Sequence, residues 1–448
     1  MNEFLGSVWW LLVSLGILIT IHEFGHFWVA RRCGVKVLRF SIGFGTPLWR
    51  RRGADGTEFV VAAIPLGGYV KMLDEREGEV APEERHRAFN RQSVWKRMAI
   101  VVAGPLANLL LCIALLWAMF VIGRPDYAPV IGAVRDVAAE SGLRAGDTVL
   151  AVGDTPVSTW TEVETRLLPA ALDRDDVALR VRTAAGGETT RTLRLSRLPD
   201  SLRGLDAVRA VGLVPRHLAP APVVGAVAAA PALGALRPGD RILAVDGEPI
   251  ERWDQILPLV QRAGERGTPV RLRLARDGRE LAVSLRPRQR TVEGRTYWAL
   301  GIQVAVPGKD ALLRHGPVAA VPAALREGAQ QTRELFAMIG RAFSGKVSAQ
   351  HTVAGPLTIA RAANAFAQQG AAWYLSMLAL LSLSLGILNL LPIPILDGGH
   401  LLYYLIELIK GSPVSERVMA AGQYVGLALI VGLMGLAFYN DIVNNLVR

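Results

Sequence analysis

No charged side chain occurs between Arg361 and Asp397. A run that long and that free of charge does not suit a water-soluble core, and it sets the class of fold before anything else is read. Three more stretches share its character. Four segments therefore read as membrane-spanning helices, at about residues 7–30, 98–122, 371–396 and 418–439. The 51% of hydrophobic residues is concentrated in these blocks.

Charge orients the spans. Glu3 precedes the first apolar run, no basic residue does, and no small-residue cleavage site follows it. Arg31-Arg32 follows instead, which suits a retained helix whose end faces the cytoplasm. Residues 31–97 are rich in Lys and Arg, including Arg50-Arg51-Arg52, and read as cytoplasmic. Residues 124–370 then form a long translocated region, which crosses largely regardless of its own charge. The loop near Lys410 returns to the cytoplasm and the C-terminus lies outside. Much of the excess positive charge flanks spans. No basic stripe interleaved with aromatics accompanies it, which argues against nucleic acid as a partner. Cys33 and Cys112 lie in or beside different spans, so no disulfide framework is expected and both read as packing residues.

The external region repeats itself. Leu143-Arg-Ala-Gly-Asp-Thr-Val-Leu-Ala-Val recurs as Leu236-Arg-Pro-Gly-Asp-Arg-Ile-Leu-Ala-Val, offset by 93 residues. Pro156 and Trp160 recur at the same offset as Pro249 and Trp253. Each copy reads as mainly β: a turn at Gly146 or Gly239, an alternating strand, a second turn, a helix from the Trp, then two strands.

The first span contains charge only in its own motif, His22-Glu23-Phe24-Gly25-His26. On a helix, residues four apart are separated by about 400° of rotation, so both imidazoles reach one ion. Glu23 lies about 100° round from His22, within reach of a water beside that ion. Ionisable groups inside spans are costly and functional by default. A catalytic zinc site needs a third protein ligand and one open position. Two residues at comparable depth offer themselves, Asp397 and His400, in Asn389-Leu-Leu-Pro-Ile-Pro-Ile-Leu-Asp-Gly-Gly-His400. Pro392 and Pro394 break helical hydrogen bonding there. Asp397 has a plainer reading as the cap of a helix starting near Gly398.

H-E-x-x-H in the first span with N-x-x-P-x-P-x-L-D-G near the third resembles the site-2 protease family of intramembrane zinc metalloproteases. The repeat core, of the type L-x-x-G-D-x-I-L-x-V-(N/D)-G, resembles circularly permuted bacterial PDZ domains, which can bind extended peptides by strand addition. The resemblance implies one zinc ion on His22, His26 and Asp397, with Glu23 activating water. It implies substrate contacts from Asn389, a candidate oxyanion donor, and from Gly67 and Gly68. These two glycines bend a membrane-associated β-hairpin over about 58–72, whose free edge would hold an unwound substrate. Gly104-Pro105-Leu106-Ala107-Asn108 also fits a family pattern and reads as helix packing.

The expected fold is thus a polytopic α-helical membrane protein with four transmembrane helices, the hairpin and two tandem PDZ domains of α+β type. Residues 1–123 form the N-terminal membrane half, 127–215 and 220–290 the PDZ domains, and 371–448 the C-terminal membrane half. Residues 291–370 form a periplasmic connector with an amphipathic helix over about 355–366, which either gates access or anchors at the membrane surface, anchoring being the preferred reading. The implied activity is intramembrane endopeptidase cleavage of a pre-trimmed single-pass membrane protein of anti-sigma-factor type. The implied location is the bacterial inner membrane, in contact with lipid, with the active site toward the cytoplasm. The PDZ domains either bind peptide ligands or act as a size filter. A non-catalytic peptide-binding scaffold is the competing reading; an intact Glu23 argues against it, since a scaffold needs no general base.

Overall fold

The computed structural model describes residues 3–199, 210–292, 295–305, 307–344 and 354–446, and the chain divides into two compact units. One unit joins both ends of the chain, up to Arg124 and from Arg314; the other is Pro125–Leu313.

The first unit contains helices α1 (Glu3–Arg32) and α2 (Val94–Ile122), with strands β1 (Val37–Arg52) and β2 (Glu58–Met72) between them. It continues through α3 (Pro317–Phe343), α4 (Pro356–Gln368), α5 (Ala371–Leu390), α6 (Asp397–Lys410) and α7 (Glu416–Leu446). Helices α1, α2, α5 and α7 are long and apolar enough to cross a membrane. The third of these ends at Leu390, short of the expected 396. Pro392 and Pro394 lack the N–H a helix needs, and the chain from 391 to 396 is irregular. Ile395 there has φ 105°, a conformation costly for a β-branched residue.

Helix α2 packs against both α1 and α5. Gly25 on α1 lies so close to the Ala103 carbonyl that a Cβ would collide with it. On the other side the Ser382 hydroxyl donates to the Asn108 carbonyl at 2.8 Å. Helix α6 is tied to α2 by a two-pronged ion pair, Arg97 to Glu407 at 2.7 and 3.1 Å, with the guanidinium also over the Tyr404 ring. Small residues and paired charges suit helices that gain little from the hydrophobic effect in lipid.

The hairpin expected over 58–72 is part of a larger sheet. The first half of β1 pairs with both halves of β2: Ser41 lies opposite Val60 on one side and Tyr69 on the other. The second half of β1 turns back onto the first half of β2, with Trp49 opposite Val61. Four short antiparallel segments result, ordered 47–52, 58–64, 37–44 and 68–72. Gly67, at φ 140°, makes the bend between the two halves of β2. Those halves do not pair with each other, because residues 37–44 lie between them. Phe27 on α1 meets Phe40 and Phe59 at 5.5 and 5.7 Å between ring centroids, seating the sheet on the helix.

The connector contains a 27-residue helix, α3, that the sequence reading did not anticipate, besides the amphipathic α4 that it did. The first turn of α4 is capped from outside: the Asp441 carboxylate of α7 accepts from the Leu357 and Thr358 amides at 2.8 and 3.2 Å.

The second unit is a structural duplication. In the first copy a four-stranded sheet runs in the order 155–156, 148–152, 177–182, 188–193; in the second it runs 248–249, 241–245, 270–276, 279–285. Each copy packs a longer helix, Trp160–Asp173 or Ile256–Glu265, on its own apolar core. Each also has a two-stranded sheet, 131–134 with 213–215 and 224–227 with 302–304. The second copy therefore extends past the expected boundary at 290. Its closing strand is 302–304, and Leu300 belongs to its core. The repeated Leu-x-x-Gly-Asp turn is closed by its own carboxylate: Asp147 accepts the Arg144 amide at 3.0 Å and Asp240 the Arg237 amide at 2.8 Å. Among the described residues, an arginine joins it only in the second copy, Arg276 donating to both Asp240 oxygens at 2.7 Å.

Candidate active site

His22 and His26 lie one turn apart on α1, both buried, with rings 4.8 Å apart and nearly perpendicular. Asp397 reaches them from the opposite end of the chain as the first residue of α6. Its Oδ2 lies 3.2 Å from His22 Nε2 and 3.5 Å from His26 Nε2, and the two Nε2 atoms are 3.2 Å apart. A tetrahedral ion with bonds of about 2.0–2.1 Å holds its donors about 3.3 Å apart, so this triangle has the right size for zinc. The donors also lack better partners: Asp397 Oδ2 is buried and accepts no well-formed hydrogen bond. Two imidazoles and one carboxylate are the donor types a catalytic zinc site uses. Among the described residues this is the one group of three such donors close enough to share an ion.

The local sequence explains how Asp397 arrives there. Helix α6 begins at Asp397 itself, its cap is Leu396, and no side chain caps it. The plainer reading of Asp397 as a cap is thereby set aside. Gly398 and Gly399 do not loosen the chain, as their pairing suggests. They permit close approach: a Cβ on Gly398 would strike the Leu391 carbonyl, and one on Gly399 would come within 2.5 Å of the Ile393 carbonyl. The rival His400 lies outside the donor triangle, edge-on to Tyr403 and lining a cavity of about 400 Å³ with Val70, Met72 and Tyr404.

The metal-facing orientation of the histidines is set by α2. His26 Nδ1–H donates to the Ile100 carbonyl at 2.8 Å, leaving the Nε2 lone pair toward Asp397. Asn108 Nδ2 lies 3.2 Å from His22 Nδ1. Between them Gly104 faces His26, and a Cβ there would collide with the imidazole. Ile100, Gly104 and Asn108 recur every four residues on α2, matching the spacing of His26 and His22 on α1. Sequence reasoning read Gly104 to Asn108 as packing alone. The signal it missed was this matched spacing on two helices whose side-by-side contact only the fold reveals.

Glu23 is half-buried beside the edge segment of the sheet. A Cβ on Gly68 would come 3.0 Å from Glu23 Cγ and 2.8 Å from the Ser41 carbonyl, so the bare backbone of residue 68 passes the carboxylate. Gly67 lies at the preceding bend, under the Phe44 ring. Asn389 is half-buried in the last turn of α5, outside the donor triangle.

Comparison with known proteins gives the family. The model of Peptidase family M50 matches residues 10–433. A putative zinc metalloprotease of Xylella fastidiosa (strain Temecula1) is 50% identical over 446 residues, covering 99% of this chain and all of the relative. The regulator of sigma-E protease RseP of Escherichia coli is 41% identical over 454 residues, covering 98% of this chain and 99% of the relative. That of Salmonella typhimurium (strain 14028s) is 41% identical, covering 96% and 97%. A family model spanning nearly the whole chain, and relatives of the same length, place it in peptidase family M50, the site-2 proteases, as a zinc metalloprotease.

Proposed function

We propose that this chain is an intramembrane endopeptidase of the bacterial inner membrane, with zinc held by His22, His26 and Asp397. Zinc supplies Lewis-acid chemistry, acidifying water and polarising a peptide carbonyl. Glu23 takes the proton of the attacking water as the new C–O bond forms, and passes it to the departing amide nitrogen as the C–N bond breaks. The observation that carries this reading is the convergence of three correctly spaced donors from the two ends of the chain, with Glu23 on the same helical turn as the two histidines.

The substrate is a single-pass membrane protein trimmed outside the membrane, of the anti-sigma-factor type that the relatives' name, regulator of sigma-E protease, suggests. Its span unwinds and adds as a strand along residues 68–72, where Gly68 lets the backbones approach Glu23. Asn389, in the turn before the broken segment, donates to the substrate carbonyl. The basic residues around Arg31, Arg32 and Arg50–Arg52 set the site toward the cytoplasm and the duplicated unit on the periplasmic side. The two repeats act there as PDZ domains that exclude untrimmed chains.

The test is Glu23→Gln in proteoliposomes with a model single-pass substrate. Hydrolysis falls by at least ~10²-fold, the low end of what general-base removal costs, while zinc content stays at one per chain. Cleavage at the wild-type rate would sink the mechanism.

A further inference from the structure

We propose that one face of the four-segment sheet holds an anionic phospholipid, its acyl part against apolar side chains and its phosphate on Arg51 and Arg52. The pairing register builds the seat. Phe40 lies opposite Phe59 and Ile42 opposite Val61. On their other side Phe59 lies opposite Arg51 and Val61 opposite Trp49. Directly paired residues point to the same side of a sheet. One face therefore carries two rungs, Phe40–Phe59–Arg51 and Ile42–Val61–Trp49. Helix α1 covers the inner end of this face, where Phe27 meets Phe40 and Phe59. Beyond that cover lies a cavity of about 380 Å³, lined by the two rungs and by Arg52. Val61 and Trp49 are 39% and 52% exposed there.

The arginines of this seat have no counter-charge. Two acids lie close by in the sequence, and both are engaged elsewhere: Asp55 pairs with Arg31 at 3.2 Å and Glu58 with Arg39 at 2.7 Å. Among the described residues neither Arg51 nor Arg52 has an ion-pair or hydrogen-bond partner. A guanidinium presents a planar fork that matches a phosphate. An open apolar floor ending at two such groups fits a molecule with an acyl chain and a phosphate; a bare anion would leave the floor uncovered. The bilayer supplies that molecule at this level. Helix α1 is long and apolar enough to cross a membrane, and it ends at Arg32, shortly before β1 begins at Val37. Trp28 near that end is half-exposed, with the Arg32 guanidinium 5.0 Å from its ring centre, as suits a membrane–water interface. Two uncompensated positive charges select an anionic lipid over a neutral one. Trp49 and Arg51 belong to the edge segment 47–52, whereas the opposite edge, 68–72, passes Glu23. A seated lipid thus leaves the edge beside Glu23 open, and its binding requires neither zinc nor cleavage.

The test is native mass spectrometry of the full-length protein in a neutral detergent, titrated with phosphatidylglycerol and phosphatidylcholine of identical acyl chains. Wild type should prefer phosphatidylglycerol for the first lipid bound. Replacing both arginines, Arg51→Gln with Arg52→Gln, should lower that preference about 10–30-fold, at about fivefold per arginine. Phosphatidylcholine binding should stay as it was. Arg288→Gln with Arg290→Gln removes the same charge from the other unit and should leave the preference intact. Trp49→Ala should weaken both lipids, since it removes part of the apolar wall. Four results would each overturn the proposal: equal retention of the two lipids by wild type, an undiminished preference without Arg51 and Arg52, an equal loss in the Arg288 and Arg290 variant, or no effect of Trp49→Ala on either lipid. Displacement of phosphatidylglycerol by excess glycerol phosphate would overturn it too, by identifying a site for a free anion.

Discussion

At His26 the limiting quantity is space. Its ring fits against α2 only because Gly104 has no side chain, and the same helix supplies the Ile100 carbonyl that aims it. Gly104→Ala should push the imidazole away from Asp397 and out of the donor triangle. Displacements of about 1 Å in such sites cost on the order of 10²-fold in rate. Zinc stoichiometry and kcat/KM on a membrane substrate should both fall; unchanged values for both would show that α2 yields instead. The histidines were legible in the sequence because their spacing is a property of one helix. Asp397 was less so. Periodicity and charge left it level with His400, and only the family pattern chose between them. Asn108 and Gly104 were legible as small or polar residues in a span but not as partners of histidines, since their meaning depends on which helix lies alongside.

Elements repeat the lesson in another form. Uninterrupted apolar length identified α1, α2, α5 and α7, and the two prolines marked where α5 must fail. The sheet was read as a hairpin because Glu58–Met72 alternates like a strand with a glycine bend. That β1 inserts between its two halves is a long-range pairing no local pattern reports. Helix α3 was missed for a related reason: Pro317 and Pro322 and a run of alanines give it neither the apolar length of a span nor an obvious start. Among the strands of the second repeat, one charge pair makes a pH prediction. The Arg276 guanidinium holds the Asp240 carboxyl below its usual range. A group whose pKa is lowered on folding stabilises above its unfolded pKa of about 3.9, and that contribution is lost as pH falls through the folded value. Hydrogen exchange of residues 270–285, corrected for intrinsic rates, should show protection declining below about pH 4. In Arg276→Leu the acid-dependent part of that decline should shrink. An identical acid profile in both proteins would assign the pair no role.

For the whole molecule, the 93-residue offset revealed a duplication that the fold repeats in both the four-stranded and the two-stranded sheet of each copy, the second copy closing at 302–304, beyond the expected boundary. Duplication was easy to read because it compares the chain with itself and needs no knowledge of packing. Its role is testable by size. A chain lacking residues 127–304 should cleave model substrates with large external domains that the intact protein rejects, while cutting trimmed ones at a similar rate. Rejection of large substrates by the shortened chain would remove the filter from the account. The wide separation of the metal donors also has a consequence in time. Roughly 370 residues lie between His26 and Asp397, and at about 5–20 residues per second the ribosome needs some 20–75 s to cover them. On the proposed ligand set, the growing chain carries two imidazoles and Glu23 throughout that interval but no third ligand. A protease built on that ligand set is therefore incomplete until Asp397 is made, and a copy truncated before it holds only half of the proposed site.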